Sequence, residues 1–228
     1  MNPYLRWSVP FAAAAALTGC AGSPPASYYT LLPSANTMTP APGTAVPGAP
    51  AFALEIMPVN VPLQVDQPQI MLRTADDALS PMYSQRWASP LAEELQTALS
   101  HAMTATLGAP DVSALGASAG FPVWRVQVDV QRFDMLLGGP ALIDATWRIR
   151  QSGAARGKSA ATAAVLLCRS LVQIPAPGAD LPALVLAQQR AVMALAQTIS
   201  SAIRQNAHVP PSSDTVQVRG CSRTAEAA

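Results

Sequence analysis

The run Trp124-Arg125-Val126-Gln127-Val128-Asp129-Val130 alternates apolar and polar residues without a break. Successive side chains of a strand point to opposite faces, so this run reads as a half-buried strand with Trp124, Val126, Val128 and Val130 on the covered side. Downstream, Gly138-Gly139 offers the positive φ that a tight hairpin needs. A turn centred on that pair sets Val130 opposite Trp147 and Val128 opposite Ile149, which joins apolar side chains on one face. Phe133 has the opposite parity, and this predicts a bulge near Gln131 to Arg132. Ser152 to Lys158 reads as the next turn, and Ala160 to Ile174 as the third strand of a meander.

Upstream of the meander, Phe52 to Ile56 alternates as a strand does, Met57 to Pro62 turns, Gln69 to Arg73 is a second short strand, and Met82 to Trp87 follows the break at Ser80-Pro81. Two amphipathic helices complete the pattern. The first has Ser89 as its cap and Pro90 at its first position. Its apolar stripe is Leu91, Leu95, Ala98, Leu99, Ala102 and Met103, and Gly108 with Pro110 ends it. The second starts at Asp180 and Pro182 and buries Val185, Val192, Leu195, Ala196, Ile199 and Ile203. Together these elements predict an α+β fold: a mostly antiparallel sheet containing a three-strand meander, with two helices packed on one face.

The amino terminus is a targeting segment. Arg6 and the free amine precede an apolar run from Val9 to Leu17, which is too short and too broken by Pro10 to span a bilayer of roughly 20 apolar residues. The run closes on Leu17-Thr18-Gly19-Cys20, a lipobox in which the cysteine becomes the acylated first residue of the mature chain. Residues 1–19 are therefore read as a lipoprotein signal peptide. Residues 20–50 form the lipidated terminus and a Pro/Ala-rich linker, 51–208 the periplasmic α+β domain, and 209–228 a polar tail. Within the linker, Tyr28 to Pro33 is an apolar and aromatic island expected to dock as an edge strand. If it docks, the tether from Cys20 is at most ~28 Å when extended. The covalent N-acyl diglyceride on Cys20 is the one modification expected, and no other cofactor. Ala21 after the cysteine favours the periplasmic face of the outer membrane.

Removal of residues 1–19 takes Arg6 and no acid, so 13 basic residues face 13 acidic ones in the mature chain. A neutral chain is expected to lack the electrostatic footprint that nucleic acid or anionic head groups demand. Cysteine usage fits an exported protein, because with Cys20 acylated the pair Cys168 and Cys221 remains in an oxidising compartment and is expected to form a disulfide. Little else suggests chemistry. Cys-x-x-Cys, His-Glu-x-x-His and Gly-x-Ser-x-Gly are absent, His101 reads as a solvated helix residue, and Glu93-Glu94 reads as a solvated face. No catalytic residue and no metal ligand is assigned, and the chain is not expected to be an enzyme.

Four segments carry a more specific resemblance: Val61 to Arg73, Arg86-Trp87-Ala88-Ser89-Pro90-Leu91, Val126 to Asp134, and Ala145-Thr146-Trp147, with Tyr28-Tyr29-Thr30-Leu31 ahead of them. In content and order they resemble the PqiC-type and YmbA-type auxiliary lipoproteins of ABC transport systems, over about Tyr28 to Ile203. Two departures remove charge: Gln67 stands where the family commonly carries arginine, and Ser89 where it carries an acid. The resemblance implies an MCE-domain protein and an ABC permease and ATPase as partners, lipid as cargo, envelope integrity as the benefit, and leaves homo-oligomer formation open.

The expected contact residues are Asp66, Gln67, Pro68, Gln69, Arg73, Arg86 and Trp87. The stretch Val61 to Arg73 admits two readings, a rigid crossover between strands and a protein-docking loop. Trp87 and Trp147 read as core residues before they read as interface. At the level of the whole protein, a non-catalytic membrane-held adaptor leads. A periplasmic carrier with an apolar cavity for acyl chains is the alternative, and an envelope hydrolase is the weakest reading.

Overall fold

The computed structural model describes residues 25–34, 51–116, 121–153 and 163–226. The signal peptide, Cys20, most of the linker and most of the turn expected at Ser152 to Lys158 lie outside the described residues. Three long strands, β5 (Val123–Met135), β6 (Pro140–Ser152) and β7 (Ala163–Pro175), form the antiparallel meander. The short β2 (Ala53–Ile56) pairs in parallel with β5, and β8 (Val216–Glu226) closes the other edge against β7, in the order β2-β5-β6-β7-β8. A second sheet holds β1 (Ser27–Tyr29), β4 (Leu79–Trp87) and β3 (Gln69–Arg73), with β1 parallel to β4 and β3 antiparallel to it. The α+β class is as read from the sequence, but the strands form two mixed sheets rather than one mostly antiparallel sheet.

Helices α1 (Leu91–Leu107) and α2 (Leu181–Arg204) pack on each other and, from one side, on the five-stranded sheet, with α2 against β6 and β7 and α1 against β2. The covered sheet face is the one the alternation predicts: Val126, Val128, Trp147, Ile149, Leu166 and Cys168 are closed to solvent. Trp147 also donates its indole N–H to Ser170 Oγ at 2.9 Å, which satisfies its buried polar atom. The Asp180 side chain accepts from Ala183 N at 2.9 Å and caps α2. Gly108 ends α1 with φ 64°.

Four local expectations change. The β-turn runs from Leu136 to Gly139, whose N–H donates to Leu136 O at 2.9 Å, so Leu137 and Gly138 are its central pair and Gly138 takes φ 72°. Together with the bulge at Gln131, this places Val128 opposite Trp147 and Val126 opposite Ile149, two residues from the expected register, with the same side chains still on the covered face. Ser80 and Pro81 lie inside β4. β1 pairs only with Gln85 to Trp87, so at Pro81 the strand has a free edge and the missing N–H breaks no ladder. Ser89 precedes α1, and its hydroxyl donates to Glu94 instead of capping the helix.

The fourth change is the stretch read as a polar tail, where Val216 to Glu226 is the edge strand β8. Edge strands bury few side chains, so β8 has no apolar run for a sequence reading to catch. Cys221 is bonded to Cys168 across β7 and β8, with Cα atoms 4.1 Å apart and the two residues 53 positions apart in sequence. Changing both cysteines to serine should lower unfolding free energy by about 4 kcal/mol in the chain-entropy account. Urea titration of the double variant against the oxidised wild type checks this, and a midpoint that does not move would show that strand pairing alone holds β8.

Candidate partner-docking site

The loop between β2 and β3 is fixed from within. Val65 is buried, its N–H and that of Asp66 both donate to Pro62 O at 3.0 and 3.1 Å, and Pro62 and Pro68 freeze the backbone at its ends. Trp87 N donates to Pro68 O at 3.1 Å, so the loop is stitched to the end of β4. Between them lies an open groove of about 420 Å³ lined by Asp66, Gln67, Pro68, Trp87 and the Ala88-Ser89-Pro90 corner. The structure thus brings Asp66, Gln67, Pro68 and Trp87 together. Trp87 offers the groove little, being 4% exposed with its ring edge-on to Phe133 at 6.0 Å. It is a core anchor that shapes the wall.

Beside the groove, strand pairing sets Gln69, Arg86 and Tyr28 in one row across the small sheet. Their in-strand neighbours Ile70, Trp87 and Tyr29 belong to the core, so the row lies on the outward face. Tyr28 is 65% exposed. Arg86 has no ion pair among the described residues, and its buried Nε meets no acceptor. An unpaired guanidinium group with an open row beside it suits a carboxylate or carbonyl from a partner. Exposed Leu63 and Tyr83 add apolar surface from the same loop and strand.

Arg73 belongs elsewhere. Its Nη2 donates to Asp134 Oδ1 at 2.8 Å, while Arg132 donates to Oδ2 at 2.5 Å, and this pair ties β3 to β5. The hydrogen bond to Asp134 holds the Arg73 guanidinium above its ordinary range in spite of burial. Arg73 is a structural tie, and its charge is spent inside the molecule.

The residue that sequence reasoning missed is Glu94, which is 5% exposed. Its Oε1 accepts from Ser89 N at 3.1 Å and Ser89 Oγ at 3.0 Å, and its Oε2 accepts from Thr30 Oγ1 at 2.7 Å and Leu31 N at 2.8 Å. From α2, Gln189 Nε2 donates to the carbonyls of Thr30 and Leu32 at 2.9 and 3.2 Å. Leu31 is fully buried between these clamps. The segment that follows the expected lipid anchor is therefore part of the domain, held by both helices. Only the apolar island at Tyr28 to Pro33 hinted at this in the sequence. Among the described residues no three or more of His, Cys, Asp and Glu stand where they could hold a metal ion.

The model of one protein family matches residues 29–200, and that family is described as the ABC-type transport auxiliary lipoprotein component. The chain belongs to this family. The match covers the docked island from Tyr29, strands β2 to β7, α1 and most of α2, leaves β8 outside, and bears out the PqiC/YmbA-type resemblance read from the motifs. The family's description makes the chain a membrane-anchored lipoprotein that serves an ABC-type transport system. A crystal structure of an uncharacterized protein superposes with a TM-score of 0.58 at 16% identity, over 79% of this chain and 99% of the other. The crystal structure of protein XCC0632 from Xanthomonas campestris, of family DUF330, gives a TM-score of 0.49 at 15% identity, over 78% and 95%. No curated protein matches the chain significantly.

Replacing Glu94 by alanine strands four donors and should cost about 3 kcal/mol. Hydrogen exchange is the sharper readout: the Leu31 amide should lose its protection in Glu94→Ala while amides of β5 and β6 keep theirs. Equal loss everywhere would mean that Glu94 supports the whole fold and not the clamp.

Proposed function

We propose that the protein is a non-catalytic adaptor, anchored by acylated Cys20 to the periplasmic face of the outer membrane, that receives the periplasmic end of an MCE-type ABC lipid-transport system. The observation that carries this reading is the unpaired Arg86 in the row Gln69-Arg86-Tyr28, beside a groove whose walls are locked by Pro62, Pro68 and Trp87. A preformed polar site on rigid elements loses little entropy on binding, which is what a docking surface requires. The layer between helices and sheet supports an adaptor over a carrier, because Trp147, Ile143, Ile149, Leu195 and Ile199 fill it and are closed to solvent. The Glu94 clamp contributes to the same reading by keeping the free tether short, which raises the local concentration of the site at its membrane.

Two experiments test the proposal. Pull-down of the MCE-domain protein by the mature chain should fall at least ~tenfold with Arg86→Ala, since truncating a buried partner of a charge pair costs about 2 kcal/mol or more. Undiminished capture would remove Arg86 from the interface. In a deletion strain, Cys20→Ser behind a cleavable secretory signal should give a folded domain that fails to restore detergent resistance. Full rescue by that soluble form would favour a diffusing carrier.

A further inference from the structure

The uncovered face of the five-stranded sheet is where the chain's charge is concentrated. Strand pairing sets Arg125 opposite Arg150, Gln127 opposite Arg148, Thr146 opposite Arg169, Arg169 opposite Arg219, and Arg132 opposite Asp144. These alternate with Val126, Val128, Trp147, Ile149 and Cys168, which the helices cover, so all of them stand on the other side. Six arginines thus share one face with Glu55, Asp129 and Asp144. Asp134 lies on the same side and is matched there by Arg73 of β3. The mature chain is neutral in sum, with 13 basic and 13 acidic residues, so the rest of the molecule is acidic by the same margin. A net charge near zero hides this segregation, and the expectation that the chain lacks a footprint for anionic head groups is revised for this face.

The face is not closed by its own ion pairs. Arg125 is held by Glu55 at 2.8 Å and Arg169 by Asp144 at 2.6 Å, yet the side chains of both arginines remain about half exposed, at 39% and 54%. Arg148 donates to Gln127 at 3.1 Å and Arg219 to Gln217, so these two guanidinium groups lean on neutral amides and keep their full charge toward solvent. On β7 the outward residues Val165, Leu167 and Leu171 are apolar and stand on either side of Arg169, with Leu167 40% exposed. Basic side chains interleaved with apolar ones match the interfacial layer of a bilayer, where anionic phosphates meet the first carbons of the acyl chains.

We infer that this face lies against the membrane that holds the lipid anchor, with its arginines on the phosphates of anionic phospholipids. The family's anchor brings the domain to a bilayer, and the tether, clamped from Thr30 onward, keeps it within reach of one. The anchor supplies attachment and the sheet face supplies orientation, leaving the small sheet and its groove free for a protein partner.

The test uses the mature chain as Cys20→Ser, so that no acyl chain contributes, and flotation with vesicles of phosphatidylcholine alone or mixed equally with phosphatidylglycerol. Partition is expected only into the anionic vesicles, and it should weaken as ionic strength rises from ~0.05 to ~0.5 M and the Debye length shrinks. Each basic residue near such a surface is worth about fivefold in partition. Arg148→Glu with Arg219→Glu should therefore lower binding at least ~tenfold, and the milder Arg148→Gln with Arg219→Gln by an intermediate amount; circular dichroism checks that both remain folded. Equal binding to both vesicle types, no binding to either, or anionic binding untouched by the charge reversal would each overturn the proposal. Absent vesicle binding combined with lost complementation by Arg148→Glu/Arg219→Glu would assign the face to an acidic protein instead.

Discussion

A buried carboxylate that accepts four hydrogen bonds fixes the amino-terminal segment of the described chain to the body of the domain. Glu94 sits in the first turn of α1, where the unpaired N–H groups and the helix dipole favour a negative charge. A carboxylate withdrawn from water is costly unless its lone pairs are filled, and here Ser89, Thr30 and Leu31 fill them. One side chain therefore joins the start of α1 and the corner just before it to the segment at Thr30 and Leu31, which chain order places far upstream. The groove and the outward row of the small sheet depend on the same join, because β1 and the Ala88 corner are their edges.

Much of the fold was legible because it is written locally. The alternation from Trp124 to Val130, the parity change at Phe133, the Asp180-x-Pro182 start of α2 and the apolar stripes of both helices are properties of neighbouring residues, and each corresponds to an element seen in the structure. What stayed hidden depends on distant partners. Nothing near Glu94 reveals that Thr30 and Leu31 will come to it, nothing near Arg73 reveals Asp134, and β8 reads as polar because an edge strand exposes most of its side chains. The parallel pairings of β1 with β4 and of β2 with β5 are likewise long-range choices with no turn to announce them. At the candidate site, the motif at Asp66 to Gln69 was visible. The division of labour among its cations, with Arg73 internal and Arg86 open, was not.

Composition misled in one instructive way. A sum of charges says nothing of their arrangement, and a period-two strand sorts side chains between its faces as strictly for charge as for hydrophobicity. The alternation that hides Val126, Val128 and Trp147 under the helices delivers Arg125, Arg148 and Arg169 to the opposite side. A meander with one greasy side and arginine at the alternate positions is thus a charge-separating device, whatever the total.

The parallel pairing of β1 with β4 also sets how the molecule bears a load. Tension on the anchor enters at the leading end of β1 and is resisted by α1 and α2 through Glu94 and Gln189, just beyond the strand's other end. A pull along the strand axis loads these bonds lengthwise. Bonds between strands pulled lengthwise share the force and must slip together, whereas bonds pulled crosswise break in succession. For a pull in that direction the parallel seam is loaded in shear, so a brief tug is spread over its length instead of peeling it open from one end.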